Sequence, residues 1–195
     1  KFRDLCSAKF FLWMVDDPLI RWKKEWPPAL KEPTISSYPL YDQIFIYDTF
    51  YVQQLKHMGL DNVSFLPCCY DDRYFPMKTD SKYGLIFYGT HIIKRERILL
   101  ELDGMNFRVA GIGWEDSILA HRCIAVDAWN DSNLVYNQSK IVLNIHHPQS
   151  VNGANLRCFE SMASGRMLIT EPLMDLKDMF VEDKELVFYY NIQDL

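Results

Sequence analysis

The sequence lacks any apolar run long enough to cross a membrane. Its longest strongly apolar segments, 10–15 and 141–145, fall far short of the roughly 20 residues that a spanning helix needs. No stretch has the charged, apolar and small-residue order of a secretory signal peptide. A basic excess is also missing, since the formal net charge is −5. Proteins that hold a long polyanion usually carry the opposite balance, so nucleic acid is not an expected partner.

The five cysteines lack the spacing of a zinc or disulfide motif. Their number is odd and no C-x-x-C pair occurs, so we predict structural thiols, no metal site and a reducing, cytoplasmic location. The adjacent Cys68 and Cys69 leave a redox pair as the alternative. The acidic pairs at 16–17 and 71–72 fit a helix cap and a linker turn better than a metal site. No G-x-S-x-G elbow or convincing cysteine–histidine pair indicates nucleophilic catalysis.

The sequence does contain an alternation of two periodicities. Short β-branched and aromatic runs alternate with segments of helical spacing, which predicts βαβ units and parallel sheets in an α/β fold. The predicted strands are 9–15, 43–47, 63–66, 85–88, 107–110, 123–126, 141–145, 167–170 and 186–189. The predicted helices are 49–58, 95–102, 132–138, 154–163 and 173–180. Asp17 before Pro18 predicts a further helix start, and Gly59 predicts a left-handed helix stop.

The polar stretch 71–83 predicts a domain boundary, because it contains Pro76 and shows no apolar period. About three predicted strands precede it and about six follow it. Three strands are too few for an independent doubly wound sheet. We therefore expect the end of one α/β domain at 1–76 and most of a second at 77–195, without its final helices.

Three loops follow predicted strands, where open α/β sheets bind ligands. The first contains Gly89, Thr90 and His91, and then Lys94, Arg95 and Arg97 at the start of a helix. The start of a helix carries a partial positive charge, so three cationic side chains are unfavourable there. A bound anion that neutralises them would explain their presence. The alternative is a solvated basic helix start whose cations pair with Glu96 and Glu101.

The second loop carries Gly111 and Gly113, which would let the backbone approach a ligand closely. A third glycine and the acidic residue of a dinucleotide site are absent, so a simple nicotinamide site is not indicated. Asn144 ends a later strand, and one of the adjacent histidines His146 and His147 is expected to line the cleft that follows. The two histidines would face opposite sides of a strand and so cannot chelate a metal together.

The third loop, 150–155, is rich in small residues and leads into a helix. Its candidate binding residues are Asn152, Gly153, Ala154 and Asn155, followed by Arg157 and Glu160 on the helix. Backbone amides at a helix start bind phosphate. Glu160 is placed to accept hydrogen bonds from ribose hydroxyls, or alternatively only to support the helix dipole.

The order and spacing of five segments resemble the CgeB-type spore-maturation glycosyltransferases, relatives of the group 1 enzymes. These segments are 41–71, 86–97, 111–114, 136–144 and 157–170. The resemblance implies a GT-B enzyme with two Rossmann-like domains of parallel sheets. Residues 1–76 would be the end of the acceptor domain, and 77–195 the domain that binds the nucleotide-sugar.

The resemblance also assigns roles by position. Glu160 matches the ribose-binding glutamate of the family, and Asn152–Asn155 lie where the donor sugar and diphosphate sit. Asn152, eight positions before Glu160, replaces a second glutamate of the group 1 enzymes. Thr90 replaces their phosphate-binding arginine, and Arg95 falls close to their lysine.

The expected function is transfer of a sugar from a nucleoside diphosphate sugar to an unidentified sugar, protein or lipid-linked acceptor, with no metal or cofactor. Helix-start amides at Ala154, with Arg95 or Arg97, would stabilise charge on the departing diphosphate. The predicted catalytic residues are Arg95, Arg97 and Glu160. The predicted donor-binding residues are Gly89, Thr90, His91, Gly111, Gly113, Asn144, Asn152, Gly153, Ala154, Asn155 and Arg157. The alternative is a non-catalytic nucleotide- or carbohydrate-binding module used for assembly.

Overall fold

The structure, a computed structural model, describes residues 7–19, 36–126 and 131–195. The chain divides into two compact units. The first unit contains the described residues up to Cys68, with His147–Asn155 and Leu173–Leu176. The second contains Cys69–His146, Leu156–Pro172 and Lys177–Leu195. The domain boundary at residue 76 stays a prediction.

The first unit is built on a parallel three-stranded sheet in the order β1-β2-β3. Its strands are β1 (Phe11–Met14), β2 (Gln43–Ile46) and β3 (Val63–Phe65). Helix α1 (Thr49–His57) connects β2 to β3 and begins where the Asp48 side chain accepts a hydrogen bond from the amide of Phe50. Gly59 follows this helix with a φ of 87°, which confirms the predicted left-handed stop.

The second unit is built on a parallel five-stranded sheet in the order β5-β4-β6-β7-β8. Its strands are β4 (Tyr83–Tyr88), β5 (Phe107–Ala110), β6 (Ser139–Asn144), β7 (Met167–Thr170) and β8 (Val187–Phe188). Its helices are α2 (Ile93–Leu100), α3 (Ser132–Asn137) and α4 (Leu156–Ala163). The short helix α5 (Met174–Met179) spans the point where the chain passes from the first unit to the second.

Both faces of the five-stranded sheet are covered by apolar side chains. Phe87 belongs to one buried cluster, with Leu99, Phe107, Trp114 and Leu143 among its members. Its neighbours Ile86 and Tyr88 belong to a second cluster, with Tyr74, Tyr136 and Val142. Successive side chains of a strand point to opposite faces, so β4 contributes to both clusters. The predicted α/β fold with parallel sheets is confirmed.

Two local predictions differ from the structure, and a third lies outside the described residues. The predicted strand at 123–126 is wrong: Cys123 forms a single isolated bridge with Val109, because β5 ends one residue later at Ala110 and Gly111 turns the chain away. The helix expected from 154 begins at Leu156. The Asp17 side chain accepts a hydrogen bond from the Leu19 amide at 2.8 Å, and the helix expected after it lies outside the described residues. None of the described helices is both long and apolar enough to cross a bilayer.

Candidate functional site

The strand order of the second unit places its candidate site. The first strand in sequence, β4, lies between the second strand, β5, and the third, β6. This is a topological switch point, and open α/β sheets bind ligands in the crevice outside the carboxyl ends of the strands there. The loops that begin after Tyr88 and Asn144 therefore border the candidate site.

Arg95 joins these two loops. Its Nε donates a hydrogen bond to the carbonyl oxygen of Ile145 at 3.0 Å, and its Nη1 donates to that of Thr90 at 2.7 Å. The guanidinium carbon lies 5.4 Å from the ring centroid of Phe87. Burial, with a contribution from Arg157, lowers the pKa of Arg95 to about 10, so the side chain stays charged at neutral pH. A buried cation is thus held across the switch point.

Lys94 holds the neighbouring strand ends together. Its Nζ donates to the carbonyl oxygen of His146 at 3.1 Å and to Glu171 Oε1 at 2.6 Å. Glu171 Oε2 in turn accepts a hydrogen bond from the His146 amide at 2.6 Å. The alternative interpretation, in which the basic helix start pairs with Glu96 and Glu101, is therefore wrong for Lys94, because its partner Glu171 lies on the loop after β7.

Glu96 instead orients His91. Its Oε2 lies 2.9 Å from His91 Nε2 and also accepts a hydrogen bond from the hydroxyl of Ser117. The Ser117 hydroxyl, and then His91, lower the pKa of Glu96. An ionised carboxylate only accepts hydrogen bonds, so Nε2 of His91 carries a proton. Arg97 is exposed on α2 and forms no ion pair or hydrogen bond with any residue that the structure describes.

Trp114 and Gly111 both lie against the carbonyl group of Gly89 and hold this turn in place. The indole Nε1 of the fully buried Trp114 donates to the carbonyl oxygen of Gly89 at 2.8 Å. Gly111 has a φ of 126°, and a Cβ built on it would lie only 2.3 Å from the same oxygen. Gly113 lies against His91, where an added Cβ would be 3.4 Å from the histidine Cβ. The structure thus brings the predicted residues of the first two loops together.

A buried polar cluster lies at the ends of β6 and β7. His146 Nε2 is 3.2 Å from Asn144 Nδ2 and 3.1 Å from Thr170 Oγ1. Asn144 Nδ2 also lies 3.2 Å from the thiol of Cys158. The predicted residue Asn144 is therefore part of the framework beneath the crevice, together with His146.

Glu160 and Arg157 lie together beside the end of β4. Arg157 Nη1 donates to Glu160 Oε2 at 2.6 Å, and the hydroxyl of Tyr136 donates to the same oxygen at 3.3 Å. The guanidinium carbon of Arg157 lies 4.4 Å from the ring centroid of Tyr88, the last residue of β4. Glu160 is therefore held in place by its partners and is not a loose side chain of the helix.

The remaining predicted residues, Asn152, Gly153, Ala154 and Asn155, belong to the first unit. Asp48 Oδ2 accepts hydrogen bonds from the amides of Val151 and Asn152 at 2.9 and 3.1 Å. Asn152 Nδ2 donates to Thr49 Oγ1 at 3.0 Å. A Cβ on Gly153 would lie 2.5 Å from the Tyr47 carbonyl oxygen. This loop is therefore tied to the start of α1.

A profile of the glycosyl transferase-like family matches residues 94–195, more than half of the chain. This chain belongs to the glycosyl transferase-like family. The matched segment includes the basic start of α2, Trp114, Asn144, Arg157 and Glu160. No curated protein matches the sequence.

Solved glycosyltransferases share the fold of this glycosyl transferase-like chain. Sucrose-phosphate synthase from Thermosynechococcus elongatus has a TM-score of 0.68 at 10% identity, covering 98% of this chain and 58% of its own. TarM from S. aureus, solved with UDP among its ligands, has a TM-score of 0.67 at 12% identity, and the match covers 96% of this chain and 42% of TarM. Anabaena Alr3699/HepE, in complex with UDP and glucose, has a TM-score of 0.67 at 8% identity, and the match covers 97% of this chain and 60% of HepE. The chain therefore spans from less than half to about three-fifths of these structures, and the likeness establishes the GT-B type of fold.

Sequence reasoning missed several residues that shape this site in the glycosyl transferase-like protein. Glu171 and Ser117 carry no motif, and Trp114 stands out in the sequence only as the end of the second loop and of the resembling segment 111–114. For His146 the sequence predicts only that one of the two adjacent histidines lines the cleft. Within the described ranges, no group of three or more histidine, cysteine, aspartate or glutamate side chains is arranged to hold a metal ion.

The burial of His146 predicts a pH dependence of stability. Burial, reinforced by Lys94 and Arg95, lowers the pKa of His146 from 6.5 to about 3. Below pH 6.5 the unfolded chain binds a proton that the folded protein does not take up until about pH 3. The free energy of unfolding should therefore fall as the pH drops through this window, by up to about 1.4 kcal/mol per pH unit from this group. Its contribution is fully present above pH 6.5.

Urea unfolding of the wild type and of His146→Gln at several pH values would measure this contribution. The stability difference between the two proteins should shrink steadily from about pH 7 to about pH 4.5. A difference that stays constant over this range would contradict the prediction.

Proposed function

We propose that this chain binds a nucleoside diphosphate sugar at the carboxyl edge of the five-stranded sheet, and that the protein transfers the sugar to an acceptor. The observation that carries the proposal is Arg95, a buried cation fixed across the switch point by two backbone carbonyls. Its Nη2 group forms no hydrogen bond within the described part of the chain, so donors remain for a phosphate oxygen. Membership of the glycosyl transferase-like family supports the same reaction class.

The chemistry requires stabilisation of negative charge on the leaving group. The bond between the anomeric carbon and the diphosphate oxygen breaks, the acceptor hydroxyl oxygen bonds to that carbon, and the hydroxyl proton is released. Arg95 is oriented before the ligand arrives, so it pays no reorganisation cost as charge develops. Loss of one such preorganised donor typically lowers the rate by about a hundredfold or more. In this proposal a fixed protein cation takes the place of a metal ion, and Arg97 adds long-range charge.

Glu160 is the proposed contact for the ribose. Its Oε2 accepts hydrogen bonds from Arg157 and Tyr136, and the Tyr74 hydroxyl also interacts with this carboxylate. In this proposal the second oxygen, Oε1, accepts hydrogen bonds from the ribose hydroxyls. Sugar contacts from Asn152, Gly153, Ala154 and Asn155 rest on the family resemblance alone, because the Asn152 amide is already bonded to Thr49.

The finer assignments are proposals as well. The structures of TarM and HepE contain UDP, which makes uridine diphosphate the first donor class to test. The CgeB-type relationship, the domain limits 1–76 and 77–195, a cytoplasmic location and a sugar, protein or lipid-linked acceptor rest on the sequence. The alternative of a non-catalytic binding module is not favoured, because the chain belongs to a family of glycosyl transferase-like proteins.

Isothermal titration of the chain with UDP-, GDP- and ADP-sugars, with and without EDTA, tests the proposal. We expect one nucleotide class to bind, with an affinity that EDTA leaves unchanged. Arg95→Met should weaken binding by about tenfold or more, since it removes a charged donor from the phosphate site.

Arg122→Met is the matched control. Arg122 also donates to a backbone carbonyl, that of Met105, and its guanidinium lies over Phe107. Its loss should leave nucleotide binding unchanged, and thermal unfolding would show whether either variant has lost its fold. Absence of binding at millimolar concentration by the folded wild type would overturn the proposal, as would equal weakening by both variants.

A further inference from the structure

Arg157 is more constrained than a surface arginine that waits for a ligand. Its Nη1 is 2.6 Å from Glu160 Oε2, three residues further along α4. Its guanidinium lies over the ring of Tyr88, with the carbon 4.4 Å from the ring centroid. The Arg157 side chain is 32% exposed, and that of Glu160 is 8% exposed. Arg157 therefore connects the end of β4 to the carboxylate that is proposed to bind ribose.

The same carboxylate oxygen has a second anchor. Tyr136 is fully buried, and its hydroxyl donates to Glu160 Oε2 at 3.3 Å. The Tyr136 ring packs against Tyr88 and Tyr74, with centroids 5.8 and 6.1 Å apart. Tyr74 is held in turn by the hydroxyl of Ser132, 3.0 Å from its own. One oxygen of Glu160 is thus fixed by two donors: the hydroxyl of Tyr136, and the guanidinium of Arg157, which packs against the ring of Tyr88.

We propose that Arg157 is a positioning residue, which aims the Oε1 atom of Glu160 at the ribose and so makes the site select ribonucleotides over 2′-deoxyribonucleotides. This inference rests on the proposed function and changes the predicted role of Arg157, which was expected to contact the donor directly. A glutamate without partners can turn about three side-chain bonds and loses that freedom when it binds a hydroxyl. Arg157 and Tyr136 remove this cost before the nucleotide arrives.

The aromatic contact explains why an arginine suits this position. A planar guanidinium can lie flat over Tyr88 while its edge donates to a carboxylate. A lysine ammonium is a point charge and does not combine the two contacts in the same way. The Arg157→Lys variant should therefore restore only part of the effect of arginine.

The test compares affinities for UDP and 2′-deoxy-UDP, and for the matching guanosine and adenosine pairs, by titration of the chain. The quantity of interest is the ratio of the two dissociation constants within a pair. For the nucleotide that binds, the wild type should prefer the ribose form by about tenfold, the effect of one hydrogen bond to a charged group. Glu160→Gln should bring the ratio close to one. Arg157→Gln should lower it at least about threefold, while the affinity for the deoxy form changes little.

The outcomes separate this inference from the proposed function. If no nucleoside diphosphate binds the folded wild type, the proposed function fails and the inference fails with it. If the wild type binds but shows no preference for ribose, or if Arg157→Gln retains the full preference, only the positioning role is overturned. Equal weakening of both forms by Arg157→Gln would instead show a direct contact with the diphosphate, and would also overturn it.

A conservative variant covers the case in which Arg157→Gln does not fold. Tyr136→Phe keeps the ring that packs against Tyr88 and Tyr74, and removes only the hydroxyl that donates to Glu160. It should lower the preference for ribose in the same direction, by a smaller factor. If both Tyr136→Phe and Arg157→Lys retain the wild-type preference, the positioning role is wrong.

Discussion

Replacement of Trp114 by alanine is expected to lower the free energy of unfolding by about 3–5 kcal/mol, the usual cost of emptying a large aromatic site in a core. The Trp114 side chain is fully buried, and its ring meets that of Phe87 edge-on at 5.8 Å. The substitution also removes the donor that satisfies the carbonyl oxygen of Gly89. Chemical denaturation of both proteins would measure the loss.

Trp114→Phe separates the two contributions. Phenylalanine keeps an aromatic ring beside Phe87 and His91 but has no N–H to donate to Gly89. We expect it to cost about 1–3 kcal/mol, mainly from the unsatisfied carbonyl. It should also weaken nucleotide binding, because the Gly89 turn borders the proposed diphosphate site. A loss below about 1 kcal/mol for Trp114→Ala would show that the ring is not the support that its burial indicates.

Gly111→Ala is expected to cost about 3 kcal/mol or more, because it combines backbone strain with a collision against main-chain atoms. The φ of 126° is a conformation that L side chains rarely adopt. The new Cβ would lie 2.3 Å from the oxygen and 2.6 Å from the carbonyl carbon of Gly89. These atoms belong to the turn that follows β4, so the turn must move. Denaturation midpoints and nucleotide affinity should both fall.

Gly104→Ala provides the matched control. Gly104 has a similarly positive φ of 94°, but a Cβ on it would meet nothing within 4 Å. It should therefore cost only the strain, about 1–2 kcal/mol, and leave nucleotide affinity unchanged. The difference between the two variants isolates the close approach of Gly111 to Gly89. Equal losses in stability would contradict this explanation.

The parts of the fold that depend on local pattern could be predicted from the sequence. Buried parallel strands have continuous apolar runs, as in β4 and β6, and α1 is marked by its apolar spacing and by Gly59 after its end. The prediction of a strand at 123–126 is wrong because an apolar run forms a strand only where a neighbouring strand is available to pair with it. Its partner β5 ends at Ala110, as predicted, but local sequence does not reveal that only Cys123 would pair with it, through Val109.

The position of the candidate site could also be predicted, but the hydrogen bonds and ion pairs within it could not. Ligands bind at the carboxyl ends of strands in this class of sheet, and that rule selected the loops at Gly89 and Gly111. Arg95 donates hydrogen bonds to two backbone carbonyl oxygens. Every residue has such a carbonyl, so the type of the accepting residue does not indicate the contact. Lys94 pairs with Glu171, 77 residues away in sequence. Such long-range pairings follow from the tertiary fold, so a cluster of basic residues alone suggested free cations.

The arrangement of the five-stranded sheet has a consequence for the order in which the protein folds. As the chain leaves the ribosome, β4 and β5 are the first two strands of this sheet that can pair. The other edge of β4 must wait for β6, whose Ile141 pairs with Leu85, and closing that long loop carries an entropic cost. The crevice between the ends of β4 and β6 does not exist before this step. The pairing of β6 with β4 and the formation of this crevice are therefore a single event during biosynthesis.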